Sequence, residues 1–234
     1  MFFCKLAEIN VCFENRYYYL YKQCKDYIFD GSNADIKISV SDEEIEKEKS
    51  SSEGRYNNAY FEYISAYRKL CGNLTNFNAF LIHGAFFSVD DVGVIFCAPS
   101  GTGKTTHMIL WKNLLKESMK IINGDKPIVR FIDDIPYGFG TPWCGKEHFG
   151  TNDKAQLKHI CFIERNNSNS VEKIDKQKAL SKLLQQIMLP MQKDEINQFF
   201  CLIDKLINKC EFWIIRCNTQ TESATVSYNN IFSK

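Results

Sequence analysis

The chain lacks an excess of charge of either sign: 29 basic residues stand against 28 acidic ones over 234 positions, for a net charge of +1. No basic stripe interleaved with aromatic residues occurs, so a nucleic-acid-binding surface is not expected. No apolar run approaches the roughly 20 residues of a membrane-spanning helix. The opening MFFCKLAEINVCFENR carries Lys5 and Glu8 inside its apolar stretch, so it is not expected to be a secretory leader. The ten cysteines form no C-x-x-C pair, and several lie in apolar runs, as Cys97 and Cys161 do. There a thiol serves as a small hydrophobe. A disulfide framework or zinc site is therefore not expected, and a reducing cytoplasm is the expected location. No internal repeat is present. With 44% hydrophobic residues, the chain can bury one large core, with or without an appendage.

What is present centres on residues 98–106, APSGTGKTT, between the apolar run VGVIFC and the apolar-periodic MILWKNLL. That order is strand, glycine-rich loop, helix. It matches the phosphate-binding pattern G-x-x-x-x-G-K-[ST] except that Ala98 replaces the first glycine. Each remaining position has a physical task. Gly101 and Gly103 allow a tight turn, so that the backbone of Ser100, Gly101, Thr102 and Gly103 can point N–H groups at phosphate oxygens. Lys104 adds a charge for the terminal phosphates, the Thr105 hydroxyl can ligate Mg²⁺, and the helix start at Thr105–Thr106 adds its positive end. A nucleoside triphosphate is the expected ligand.

Around this loop the chain alternates strands and helices. KLAEINVCF, YYYLYKQCKDYIF and ADIKISV read as short β-rich pieces. Ser41 with Glu44 forms a capping-box pattern opening a charged helix. Tyr60, Tyr63, Ile64, Tyr67, Leu70 and Leu74 fall at helical spacing. FLIHGAFFSV and VGVIFCA form a predicted hairpin around Asp90-Asp91. KIINGDKPIVRF is a strand broken at Gly124-Asp125, and Asp133-Asp134 marks a second hairpin turn. After LKHICFIER come helices predicted over 175–189 and 193–209, a strand at EFWIIRC, and a short helix from about 221. The adjacent hairpins imply antiparallel pairing within an otherwise alternating pattern, hence an α/β fold with a mixed sheet.

Triphosphate chemistry also needs a carboxylate at the end of a neighbouring strand. Asp125, at the end of IIN-G-D, is the candidate; a plain turn at G-D-K-P is the alternative. Asp90, Asp91, Asp133 and Asp134 read as solvated turns. His83, before Gly84, is either a core residue or a participant, whereas His107, His148 and His159 read as structural. The turn GTPWCGK presents Lys146 to a phosphate or an acidic group. Trp143 either covers a nucleotide or fills a pocket, and Cys144 lacks the neighbours of a catalytic thiol. Glu164 and Arg165 end a strand, as site residues often do, or simply reach the surface. No N-K-x-D guanine motif and no L-S-G-G-Q transporter signature occurs.

Taken together, LIHGAFF, APSGTGKTTH, INGDKPIVR, YGFGTPWCGK and LKHICFIER resemble the HPr kinase/phosphorylase family, and more closely its shorter HPr-kinase-related bacterial members. The resemblance covers roughly residues 75–220. It implies the HPr kinase C-terminal domain fold shared with phosphoenolpyruvate carboxykinases, built around a P-loop. Residues 1–74 would then be a small β-rich and helical addition packed on a core of residues 75–234. It also implies that Lys104 and Thr105 bind nucleotide phosphates and Mg²⁺, with Asp125 a further metal contact. Asp125 would take the proton from a substrate serine hydroxyl, and His83 would match the histidine of the family's H-G pair beside the transferred phosphate. The sequence departs from the family at Gly124, where relatives commonly carry another aspartate. The HPr-docking helices have no matching motif. Relatives form hexamers, so homo-oligomerisation is left open. The expected activity is an ATP- and Mg²⁺-dependent kinase acting on a hydroxyl, with ATP or pyrophosphate open as donor. A nucleotide-binding regulatory protein with little turnover is the competing expectation.

Overall fold

The computed structural model describes residues 1–52, 54, 56–190 and 193–232, apart from the side chains of Lys193 and Asp194. The chain opens with a hairpin, β1 (Phe2–Leu6) and β2 (Ile9–Glu14), turned by Ala7 and Glu8 at positive φ. Helix α1 (Tyr18–Cys24) and a 3₁₀ turn at Lys25–Tyr27 follow. This corrects the β-rich reading of that tyrosine-rich stretch. Leu20 and Cys24, four residues apart, are buried while Tyr18 and Tyr21 face out, so helical periodicity outweighs the β preference of tyrosine. Strand β3 (Ile36–Ser39) pairs parallel to β2. Helix α2 (Asp42–Ser50) has both halves of the Ser41/Glu44 capping box, and α3 (Asn58–Asn73) is capped by the Asn57 side chain.

The rest of the described chain builds a nine-stranded mixed sheet. In chain order it contains β4 (Ala79–Leu81), β5 (Ala85–Val89), β6 (Val92–Cys97), α4 (Lys104–Leu115), β7 (Met119–Asn123), β8 (Ile128–Ile132) and β9 (Ile135–Phe139). Then come β10 (Lys154–Arg165), β11 (Ser170–Lys173), α5 (Lys176–Leu183), α6 (Lys193–Lys209), β12 (Glu211–Cys217) and α7 (Glu222–Ile231). The strand order is β4-β8-β9-β10-β6-β5-β7, with β12 joined to β10 and β11 to β12. Strands β6, β10 and β12 run parallel; the other pairs of this sheet are antiparallel. The predicted single strand FLIHGAFFSV is broken between β4 and β5, which pair with different neighbours. Helix α5 is also shorter than predicted, ending before Leu189-Pro190. β11 was not predicted.

Strict alternation along the parallel strands divides their side chains between two layers. Val94 and Phe96 of β6, Cys161 and Ile163 of β10, and Trp213 and Ile215 of β12 pack with Met108 and Trp111 of α4 and Ala224 and Ile231 of α7. Ile95, Ile160, Phe162, Phe212 and Ile214 face the other way, onto α5 and α6. Burial on both faces explains why these strands read as continuous apolar runs. A third core joins the N-terminal sheet and α1–α3 to Leu81, Ile128, Phe139 and Trp143. All ten cysteines are free thiols. Among the described residues no helix is long and apolar enough to cross a membrane.

Candidate functional site

The three parallel strands end on one edge, β6 at Cys97, β10 at Arg165 and β12 at Cys217. The carboxyl ends of parallel strands are where α/β sheets form ligand crevices. The loop from Ala98 to Gly103 starts there. Gly101 and Gly103 have φ of +77° and +114°, and no atom lies within 4 Å of where a Cβ would stand on either. Backbone conformation, not crowding, therefore requires glycine at both. Arg165 clamps the loop from β10, donating from Nε to the Thr102 carbonyl (2.9 Å) and from a terminal nitrogen to that of Gly101. Because a trans peptide sends C=O and N–H opposite ways, anchoring the Thr102 carbonyl turns the Gly103 N–H to the other side.

Beside the loop is a cleft of about 440 Å³. Ser100, Gly101, Gly103, Lys104, Thr105, Thr106, His83, Asp125 and Lys146 all border it; Thr102 borders the neighbouring cavities instead. Lys104 is 8% exposed, and its Nζ donates to the Ala98 carbonyl at 2.9 Å. The same Nζ lies 3.1 Å from His83 Nε2, which in turn lies 3.1 Å from Asp125 Oδ1. Lys126 Nζ stands 3.5 Å from Asp125 Oδ2. Nε2 thus has two competing partners: it can accept from Lys104 or donate to Asp125, not both. Burial pushes the Lys104 ammonium pKa down, with Asp125 partly opposing it. Burial would raise the Asp125 carboxyl, but the His83 hydrogen bond and the charges of Lys126, His83 and Lys104 outweigh it and hold it below its usual range.

The position of Asp125 is built by residues that sequence reasoning missed. Asn123, fully buried at the end of β7, accepts from the backbone N–H of Asp125 (2.9 Å) and of Lys126 (2.7 Å) through Oδ1. Its Nδ2 donates to the carbonyl and hydroxyl of Thr141, whose hydroxyl donates to the Lys126 carbonyl at 2.7 Å. An asparagine before G-D is the signal for such a side-chain turn. The Gly84 N–H donates to the Asp125 carbonyl (2.9 Å), and the His83 N–H to that of Gln186 (2.7 Å). Gly124 is a close-approach glycine. A Cβ there would stand 2.7 Å from the Cys144 carbonyl and 3.2 Å from Phe149 Cβ, and the Gly124 N–H donates to the Phe149 carbonyl at 2.7 Å.

No protein-family model matches the chain, and no curated protein is similar to it in sequence. Among solved structures it is similar to the Hpr(Ser) kinase/phosphatase from Coxiella burnetii. The likeness has 10% identity and a TM-score of 0.35, over 64% of this chain and 95% of that one. It is remote, and no residue role is carried across by it.

The other sequence candidates fall outside the cleft, with one exception. Arg165 borders it as the loop clamp, while Glu164 next to it pairs with Lys182 (2.7 Å) and Arg216 (3.2 Å). His107 is buried between α4 and α7, with Nε2 3.0 Å from the Ser227 hydroxyl; burial holds its pKa down at about 4. It is neutral at physiological pH. His148 is exposed, and His159 accepts from Trp213 Nε1 at 3.3 Å. Trp143, open to two readings from sequence, is 4% exposed and stacks on Tyr63 with centroids 5.5 Å apart. Its Nε1 donates to the Tyr63 carbonyl at 3.1 Å, while the Tyr63 hydroxyl donates to that of Pro142 at 2.9 Å. It fills a core. Burial pushes the Cys144 thiol up, away from nucleophilic character. Asp90, Asp91, Asp133 and Asp134 all adopt positive φ in hairpin turns, and Asp134 pairs with Lys205 and Lys209.

Proposed function

We propose that the chain is an ATP- and Mg²⁺-dependent kinase that transfers phosphate to a hydroxyl, of the serine type, on a peptide, protein or small molecule. The observation that carries this reading is the convergence of Lys104, His83 and Asp125, linked by two 3.1 Å contacts, at the mouth of a glycine loop. A buried ammonium whose charge is disfavoured by desolvation is suited to an anionic ligand, which would offset that cost. The donor set also suits Mg²⁺. The Thr105 hydroxyl borders the cleft and Asp125 supplies a carboxylate; among the described residues no larger cluster of acidic, histidine or cysteine ligands exists. Mg²⁺ commonly takes only one or two protein carboxylates, completing its shell with phosphates and water. When bound, it would neutralise charge on the phosphate oxygens.

In this reading Lys104 leaves the Ala98 carbonyl and His83 to reach the terminal phosphates. His83 Nε2 is then released to donate to Asp125 Oδ1, orienting the carboxylate. Asp125 would accept the proton of the acceptor hydroxyl as that oxygen's new bond to the γ-phosphorus forms and the bond from the γ-phosphorus to the bridging oxygen breaks, with ADP leaving. Lys146, exposed on the cleft's rim, meets a phosphate or an acidic part of the acceptor. Positioning and charge neutralisation carry such a transfer, with no covalent intermediate on the protein. Asp125→Ala is expected to abolish transfer from labelled ATP while leaving ATP affinity within about two-fold of wild type. Equal transfer rates in the two proteins would remove Asp125 from this role.

A second reading, a nucleotide-binding regulatory protein with little or no turnover, is favoured by one observation. At Gly124, where relatives commonly carry a second aspartate, the Cys144 carbonyl occupies the space of a side chain. Tight ATP binding with neither hydrolysis nor transfer, across a broad screen of acceptors, would select it.

A further inference from the structure

A groove of about 650 Å³ lies between the N-terminal sheet and its helices, and the proposed phosphate chemistry does not use it. One wall is the rim of β3; α2 and α3 form the other. β3 pairs only with β2, so its outer side is an open sheet edge. The register decides which backbone groups that edge offers. Asn10 faces β3: its carbonyl accepts from the Asp35 N–H, and its N–H donates to the Asp35 carboxylate, both at 2.8 Å. By alternation Cys12 and Glu14 face β3 too. Cys12 stands opposite Lys37, and in a parallel pair its bonds go to the residues on either side, Ile36 and Ile38. The N–H and C=O of Lys37 and Ser39 therefore point away from the sheet, on the side of the groove they line. The Ser39 carbonyl accepts from Lys69 Nζ at 2.6 Å. The other three groups have no partner among the described residues.

On the opposite wall Ser65, Arg68, Lys69 and Gly72 recur at the spacing of one face of α3. Gly72 answers to nothing inside the chain. Its φ is not positive, and a Cβ there would meet no atom within 4 Å. Glycine in a helix is unfavourable relative to alanine, so this position keeps space open above the groove. Arg68 pairs with both oxygens of Glu48 (2.8 and 3.0 Å), and Lys69 with Glu44 at 2.7 Å. Lys37 and Lys47, both exposed on the lining, have no carboxylate partner among the described residues.

We infer that this groove docks an extended, acidic segment of a peptide acceptor, added as a further strand on the β3 edge. The inference rests on the peptide form of the proposed acceptor. Two unpaired lysines alone would suit any anion, whereas outward backbone donors and acceptors suit another strand. A second copy would bring its own lysines against these, so charge complementarity selects an acidic partner. The groove is also placed for delivery. Tyr67 stands on the opposite face of α3, with Lys126 Nζ 6.0 Å from its ring centroid, and that Nζ is 3.5 Å from Asp125 Oδ2. One helix, about 10 Å across, thus separates a docked segment from the cleft, a span that a short continuation of the peptide covers.

Fluorescence anisotropy of the full chain tests this with a labelled peptide that alternates glutamate with valine or threonine and ends in a serine-bearing tail. Wild type is expected to bind it about ten-fold or more tighter than the same peptide with lysine for glutamate, and less tightly as salt rises. Methylating one alternate set of the peptide's backbone nitrogens should weaken binding and methylating the other set should not, because only one set faces the edge. Gly72→Leu places a better helix former in the groove. It should weaken the acidic probe by about ten-fold with the thermal midpoint at or above wild type. Lys37→Glu, exposed on the edge strand, should also weaken the probe and guards against a folding effect of the larger side chain. Equal affinity for the acidic and basic peptides, equal effects of the two methylation sets, or unchanged binding in both variants would each overturn the docking site. A chain dimeric alone and monomeric as Gly72→Leu would give the groove to a second copy and overturn it as well. Transfer from labelled ATP to the serine is followed in the same mixtures. Binding without transfer would uphold the groove and overturn the kinase reading. Transfer equal for acidic and basic peptides, and undiminished in both variants, would overturn the groove and leave the kinase reading standing.

Discussion

Lys104 sits where its own charge is disfavoured: it is buried, with Ala98 and His83 as its polar neighbours and Asp125 beyond them. Its lowered pKa means that the folded chain holds this proton less tightly than the unfolded chain does. The associated stabilisation is present above the ordinary lysine value of 10.5 and is lost as pH falls through the lowered one. At neutral pH, therefore, the residue is tolerated rather than stabilising, which fits a group kept for a ligand. Lys104→Met, of similar length and without charge, is expected to abolish ATP binding and to leave the thermal midpoint of the unliganded protein equal to or above wild type. A clear drop in that midpoint would show that the ammonium is a structural group. The opposite case is Asp125, whose lowered carboxyl pKa reflects contacts it already makes.

At the scale of elements, four segments and the end of β10 build the cleft: the β4–β5 connection carrying His83, the loop leading into α4, the turn after β7, and the loop from 140 to 150 that packs on that turn. The last two are interlocked through Asn123, Thr141 and the Gly124–Phe149 hydrogen bond. Gly124 is therefore a packing position, with the Cys144 carbonyl standing where a side chain would go. Introducing a carboxylate there with Gly124→Asp is expected to destabilise the fold by about 1–3 kcal/mol, the usual range for overpacking, without raising phosphoryl transfer. Unfolding in urea and a transfer assay on the same sample would check both halves. A stable variant with higher turnover would show that the loop can withdraw. Arg165 illustrates a related point. Its place at a strand end was readable, but its role as a clamp depended on where the loop after β6 lay.

In the molecule as a whole, the N-terminal sheet and α1–α3 share a core with β4, β8, β9 and Trp143. Trp143 joins α3 to the loop that packs on Gly124 through its stack on Tyr63 and its hydrogen bond to the Tyr63 carbonyl, and the Tyr63 hydroxyl donates to the Pro142 carbonyl of the same loop. Trp143→Ala should cost about 3–5 kcal/mol, as large core truncations do. Because the same loop supports the Asp125 turn, it should also impair transfer in whatever fraction remains folded. Denaturant unfolding followed at both far-UV and aromatic wavelengths would measure the first effect. A loss below about 1 kcal/mol would mean that the loop is held without the indole.

Much of the candidate site was legible because its parts are local. The glycine loop, the strand before it and the helix after it lie within some two dozen consecutive residues, and their spacing alone carries the chemistry expected of them. Hairpins at Asp90-Asp91 and Asp133-Asp134, and the capping box of α2, were readable for the same reason: each is a rule acting over a few neighbours. The tyrosine-rich stretch at 17–27 was misread because propensity and periodicity disagreed there, and burial of Leu20 and Cys24 decided between them. Only the tertiary structure could bring His83, Lys104 and Asp125 within hydrogen-bonding reach, because each stands on a different strand end or helix start. It alone decided that Trp143 fills a core and that Gly124 answers to a carbonyl twenty residues on. By itself the sequence determined the residue types and the local turns. Distances between segments depend on how the sheet pairs and curls, which is set by the burial of many side chains at once.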